Sequence, residues 1–175
     1  GFKNLILRLK DFWQNDQSRK KLLQDAETLS QIVDQRTSLS LPFDEDAQLS
    51  RDLIANATHQ LEAAFDNEWG GFSDAPKFPP SNAVSFLLRD FYHTGNRRSL
   101  HMATFTLDKM HQGAMYDHLG GGFHRYSVDR QWLVPHFEKM LYDNAQLAIV
   151  YIEAFQATGN KKYARIAQEI IDYEM

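Results

Sequence analysis

Apolar residues recur at helical spacing along most of the chain. Leu5, Ile6, Leu9, Phe12 and Trp13 form one such stripe, and Leu22, Leu23, Ala26, Leu29, Ile32 and Val33 form a second beyond a polar break at Asn15-Asp16. Residues 37–43, with Pro42 among small polar residues, read as a linker. Asp44 is a good N-cap for a helix running to about Asp66, whose stripe is Leu49, Leu53, Ala57, Leu61, Ala64 and Phe65. Residues 69–80 hold two Gly and three Pro and cannot be helical. Ser81 is expected to cap a helix through Phe86, Leu87, Phe91 and Tyr92, ending at Gly95-Asn96. A further helix follows from about Arg97 to Gln112. Residues 118–135 form a second irregular segment, in which Phe123, Tyr126 and Val128 suggest a short hairpin around Asp129-Arg130. After Pro135 a long helix is predicted from about His136 to Thr158, then a last helix after Gly159-Asn160.

An internal repeat strengthens this picture. Phe91-Tyr-His-Thr-Gly-Asn96-Arg-Arg aligns with Phe155-Gln-Ala-Thr-Gly-Asn160-Lys-Lys. Each copy reads as a helix end, a Gly-Asn turn and a helix start, because Gly accepts the left-handed conformation that other residues resist. The expected fold class is therefore all-α: helical hairpins with long loops gathered at one end.

Composition narrows the function. The chain has 175 residues, 43% apolar and 24% charged, which suits a globular domain and not a disordered one. A net charge of -4 argues against a nucleic-acid module. No apolar run is long enough to span a membrane, and a cytoplasmic location is expected. Cysteine is absent, so the chain holds no disulfide, thiolate metal site or thiol redox motif. The start at Gly1 and the stop at Met175 inside a helical pattern read as those of a piece of a longer protein. Its hairpin faces would then favour self-association.

Candidate chemistry clusters after residue 69. On the predicted long helix, His136, Lys139, Asp143 and Gln146 share one arc while apolar residues fall all round, which marks a buried helix. A polar row on a buried helix must be satisfied. Either Lys139 and Asp143 pair with each other and His136 bonds to backbone, or the row walls a wet cavity. Glu138 and Asp143 would stand roughly 140° apart on a helix, so they would not act together on one sugar. A second carboxylate would come from Asp117, Asp129 or elsewhere. His124, Arg125, Tyr126, Trp132 and His136 suit a hydroxyl-rich or anionic ligand, or else pin their own loop. Trp69, Phe72 and Lys77 repeat that choice between binding and packing. Gly120-Gly121-Gly122 lacks the context of a phosphate loop and reads as a tight turn. No histidine spacing matches a metal-ligand set, so no metal and no cofactor is expected.

Three segments carry a family resemblance: Trp69-Gly-Gly-Phe-Ser-Asp-Ala-Pro-Lys-Phe-Pro79, Asp117-His-Leu-Gly-Gly-Gly-Phe-His-Arg-Tyr-Ser-Val-Asp129 and Trp132-Leu-Val-Pro-His-Phe-Glu-Lys-Met-Leu-Tyr-Asp-Asn-Ala-Gln-Leu147. The chain resembles the YyaL-type, spermatogenesis-associated, thioredoxin-domain-containing family over essentially its whole length. The resemblance implies a thioredoxin-like domain followed by an (α/α)6 toroid similar to six-hairpin glycosidases and N-acylglucosamine 2-epimerases. Residues 1–36 would close the thioredoxin-like domain, 37–43 would link, and 44–175 would be the first hairpins of the toroid.

The resulting expectation is a carbohydrate-active site with His136, Glu138 and Asp143 as catalytic groups. Trp69, Phe72, Lys77, His124, Arg125, Tyr126, Trp132 and Lys139 would bind a small sugar-like ligand. The rival expectation is a redox or chaperone-like protein whose chemistry lies in the thioredoxin-like part.

Overall fold

The computed structural model describes residues 1–37 and 51–175. The chain divides into two compact units, Gly1–Leu49 and Ser50–Met175. The expected linker and the Asp44 cap fall largely outside the described residues.

In the first unit, α1 (Phe2–Gln14) and α2 (Asp16–Thr37) meet at the predicted polar break. There the Asn15 side chain accepts the amides of Gln17 and Ser18 and so caps α2. Ile6, Leu9, Phe12, Trp13 and Leu22 line an apolar groove between the two helices.

The second unit is helical apart from one small hairpin. Its helices are α3 (Arg51–Ala64), α4 (Ser81–Thr94), α5 (Arg97–Gln112), α6 (Leu141–Thr158) and α7 (Lys161–Glu174). The α4–α5 and α6–α7 hairpins turn in the same way, as the repeat predicts. Gly95 and Gly159 end their helices at φ 74° and 70°. Asn96 and Asn160 then cap the next helix by accepting the amides of Arg98 and Lys162. Even the threonine before each glycine repeats its role, since Thr94 and Thr158 both bond back to the carbonyl four residues earlier. Helix α4 packs on α6, and each carries its hairpin partner. Between them lies a core containing Leu87, Met102, Leu107, Leu147, Tyr151, Ile166 and Ile170. The Tyr151 hydroxyl donates to the Leu107 carbonyl at 2.9 Å, tying α6 to α5. Among the described residues, no helix is long and apolar enough to cross a membrane.

Two expectations change. Pro80, not Ser81, occupies the N-cap of α4, and Ser81 is its buried first residue. The larger change is at α6, which begins at Leu141 and not at His136. Pro135–His136 forms a strand, β2, antiparallel to β1 (Tyr126–Ser127). The Arg125 amide also donates to the Glu138 carbonyl at 2.7 Å, so the chain stays extended past His136. This pairing uses the backbone groups that a helix start would need. His136, Glu138 and Lys139 therefore share no helical face with Asp143 and Gln146, and angles drawn on a helix do not apply to them. Nor is α6 buried all round: Leu147, Val150, Tyr151 and Ala154 are buried, while Leu141, Tyr142, Ile149 and Ile152 are exposed.

Candidate functional site

The two long loops, α3–α4 and α5–α6, lie at the same end of the hairpins and are built on one plan. The first holds Asp66-x-x-x-Gly70-Gly71-Phe72 and the second Asp117-x-x-x-Gly121-Gly122-Phe123. Asp66 Oδ1 accepts the amides of Glu68 and Trp69, and Asp117 Oδ1 accepts those of Leu119 and Gly120. The backbone closes identically: Gly70 to Asp66 and Asp66 to Gly71, Gly121 to Asp117 and Asp117 to Gly122. All four glycines have φ between 72° and 82°, a region that other L-residues rarely enter.

A lysine locks each loop. Lys77 Nζ donates to Asp66 Oδ2 and the Gly70 carbonyl, both at 2.7 Å. Lys139 Nζ donates to Asp117 Oδ2 at 2.8 Å and the Gly121 carbonyl at 2.7 Å. A helix then fixes the residue after the first glycine or after the pair. Thr106 of α5 accepts the Gly71 amide at 2.9 Å, and Asn144 of α6 accepts the Phe123 amide at 2.7 Å. Arg130 adds a bidentate pair to Asp66, with both contacts at 2.7 Å. Burial alone would raise the Asp66 pKa. The hydrogen bonds from Arg130, Lys77 and two backbone amides outweigh it and hold the carboxyl well below the usual range. Lys139, followed by the Gly120 and Leu119 amides, lowers Asp117 in the same direction.

The loops also clasp each other. Lys77 and Ser127 exchange backbone hydrogen bonds at 2.8 Å, and Trp132 Nε1 donates to the Trp69 carbonyl at 2.8 Å.

Against this frame the predicted site residues separate into two groups. Lys77 and Trp132 are fully buried, with the Lys77 ammonium 5.2 Å from the Trp132 ring, so neither is placed to touch a ligand. Lys139 is bound to the Asp117 loop and lies 4.2 Å over the Tyr173 ring. The alternative pair with Asp143 does not form, because Lys139 precedes the helix. Trp69 and Phe72 pack on the core, Phe72 at 5.7 Å from Phe65. His124 is buried with Nδ1 3.2 Å from the Phe137 carbonyl, and burial, partly opposed by that hydrogen bond, pushes its pKa down. Asp129 accepts the amides of Gln131, Leu133 and Val134 and shapes the hairpin turn, so it is not a free second carboxylate.

Arg125, Tyr126, His136 and Glu138 instead come together at an open edge. Tyr126 and His136 are cross-strand partners whose rings stack at 4.7 Å and 16°. Phe78 extends the stack, 4.9 Å from Tyr126. Arg125 Nη1 donates to Glu138 Oε2 at 2.8 Å, and His136 Nδ1 lies 3.8 Å from the same oxygen. The side chains of His136 and Glu138 are close to half exposed, and Arg125 Nε is buried without a hydrogen-bond partner. Asp143, in the first turn of α6, has its pKa raised by burial, with the Arg125 charge opposing. The edge thus offers an aromatic platform, an imidazole, a guanidinium and two carboxylates, one of them disposed to hold its proton.

Sequence reasoning missed Asp66, Thr106, Arg130 and Asn144 as supports and Phe78 as part of the platform. The Asp-x-x-x-Gly-Gly-Phe repetition was the available signal for the first loop's aspartate. Nothing in the pattern of residues connects Arg130 with Asp66. Among the described residues, no three His, Cys, Asp or Glu side chains gather as a metal site.

Over 99% of its length this chain is 41% identical to human spermatogenesis-associated protein 20. The chain is homologous to one stretch of that protein. It spans about a fifth of the length of the curated relative, 22%. No family model matches it. Among solved structures, a sugar epimerase from a ruminal bacterium superposes with a TM-score of 0.56 at 16% identity, over 69% of this chain and 36% of that one. The cellobiose 2-epimerase of Spirochaeta thermophila superposes with a TM-score of 0.55 at 20% identity, over 70% and 35%. This chain therefore shares the all-α helical-hairpin fold of part of those epimerase toroids. At these identities the likeness speaks for fold alone.

Proposed function

We propose that the edge formed by Tyr126, His136, Glu138, Arg125 and Asp143 is part of a carbohydrate-converting site that moves a proton, as a sugar epimerase or isomerase does. The observation that carries this reading is the His136 imidazole. It is stacked on Tyr126, lies 3.8 Å from the Glu138 carboxylate and is close to half exposed.

An open-chain sugar can be epimerised or isomerised by breaking the C–H bond next to its carbonyl. The proton goes to a base, and the electron pair forms an enediolate with its charge on the former carbonyl oxygen. Return of a proton, to the opposite face of that carbon or to its neighbour, completes the change. Imidazole suits the base. In this reading His136 takes the proton, Glu138 orients the ring, Arg125 faces the developing oxyanion, and Asp143 supplies a proton. Tyr126 and Phe78 present flat surfaces to the sugar. The epimerase-like fold supports the substrate class, and the half-exposed cluster supports the placement.

The test uses the full-length protein with a panel of aldoses and reducing disaccharides in D2O, reading deuterium uptake at the carbon beside the carbonyl. Wild type should exchange. His136→Asn and Glu138→Gln should abolish turnover while the thermal midpoint stays near wild type, since both side chains are substantially exposed. No exchange by wild type on any sugar, or unfolding of both variants, would overturn the reading.

A further inference from the structure

The Asp117 loop has a second side. His118, Gly120 and Gly121 help to line a cleft of about 460 Å³. His111 at the end of α5, Tyr116, and Arg165, Glu169, Asp172 and Tyr173 of α7 complete its lining. The cleft does not share the edge cluster's residues. Glu138 and Lys139, neighbours in the chain, divide the two: Glu138 bonds Arg125, while Lys139 reaches the Asp117 loop and covers Tyr173.

The polar groups of the cleft are already oriented. The Tyr116 hydroxyl donates to Glu169 Oε2 at 2.6 Å, and Arg165 Nε lies 3.5 Å from Glu169 Oε1. His118 Nε2 is 3.1 Å from the Gly113 carbonyl. A carbonyl only accepts, so that nitrogen carries a proton and donates it. The His111 ring lies 4.7 Å from Tyr116 and 5.6 Å from His118. Burial, followed by the nearby charge of Lys162, lowers His111 to about 4, so it stays neutral at physiological pH.

The charges in and around the cleft are already engaged. Arg165 faces Glu169, Lys162 bonds Asp108 at 2.9 Å, Lys139 bonds Asp117, and Gln168 bonds Asp172 at 2.7 Å. An incoming anion would meet Glu169 and Asp172, and an incoming cation would meet Arg165, with Lys162 near His111. The neutral His111 ring, the His118 imidazole and a fixed carboxylate, with Tyr116 and Tyr173 in the same lining, match a ligand with many hydroxyls and no charge.

We propose that this cleft binds one uncharged glycosyl unit, at a site separate from the edge cluster. The inference rests on its own residues and does not require the edge to be catalytic.

Binding to the full-length protein can be followed by saturation-transfer NMR and calorimetry, with cellobiose, maltose and lactose as neutral probes and glucuronate and glucosamine as charged ones. At least one neutral disaccharide should bind saturably and more tightly than either charged sugar. His118→Ala, which alters an exposed side chain, and Glu169→Gln should each weaken it at least about tenfold. The component of binding that the cleft variants remove should persist in His136→Asn. Three results would overturn the proposal: no binding by any neutral probe, tighter binding of a charged one, or affinity untouched by both cleft variants. Loss on His136→Asn with both cleft variants intact would assign the sugar to the edge cluster, ending this proposal and leaving the preceding one standing.

Discussion

Between Asp66 and Lys77, as between Asp117 and Lys139, an aspartate collects two backbone amides, two left-handed glycines turn the chain, and a lysine bonds both the carboxylate and the first glycine's carbonyl. What differs is water. The Lys77 and Asp66 side chains are 1% and 6% exposed, and Arg130 covers what remains. Those of Lys139 and Asp117 are 13% and 29% exposed. The local sequence builds the same device twice, and its surroundings decide whether it is core or rim. The first loop is an anchor. The second lies beside both the edge cluster and the cleft, the two proposed ligand sites.

The comparison is most sharply tested by removing each lysine. Lys77→Ala leaves a buried carboxylate with one fewer partner and a cavity beside Trp132, and should cost about 3–5 kcal/mol. Lys139→Ala exposes its carboxylate to solvent and should cost about 1 kcal/mol. Urea unfolding of the two variants checks the order. Equal losses would mean that the second device is as much part of the core as the first.

A smaller difference is expected at the helix supports. Asn144→Leu removes the acceptor of the Phe123 amide together with two donated bonds, to the Phe123 and Met140 carbonyls. Thr106→Val removes only the acceptor of the Gly71 amide and a bond back to Met102. Losses of about 2–3 and about 1–2 kcal/mol are expected. Amide hydrogen exchange at Phe123 and Gly71 should accelerate in the matching variant only.

The smallest effect is in pH. His111 beside the second loop falls from 6.5 to about 4, and burial lowers His124 as well. The unfolded chain then binds more protons than the folded one across this window, so stability is full above about pH 6.5 and declines as pH falls toward 4. The two aspartates act in the same direction only at lower pH, where their carboxyls begin to protonate in the unfolded chain. In His111→Gln the decline between pH 6.5 and 4 should be shallower, measured by urea midpoints across that range.

The helical hairpins were legible from residue pattern. Helix periodicity, Gly-Asn turns and capping asparagines act within a few residues of each other, and the Thr-Gly-Asn repeat of the chain becomes a repeated turn in the fold. The irregular segments were legible too, because Gly and Pro exclude helix wherever they cluster. The start of α6 was not. Residues 136–140 suit a helix on local grounds, and strand pairing with Tyr126–Ser127 overrides that preference.

Fold class, the two loops and the residue types available to them follow from local sterics and hydrophobic period. Which polar groups are spent on each other depends on how the packed fold brings distant segments together. Lys77, Lys139, Asp117 and Asp129 all carry chemistry a site could use, yet each is engaged within the loops. Arg125, Tyr126, His136 and Glu138 meet at an open edge because two strands pair there. Burial and pairing depend on contacts between distant segments, and in a folded chain these decide whether a charged side chain braces the fold or faces a ligand.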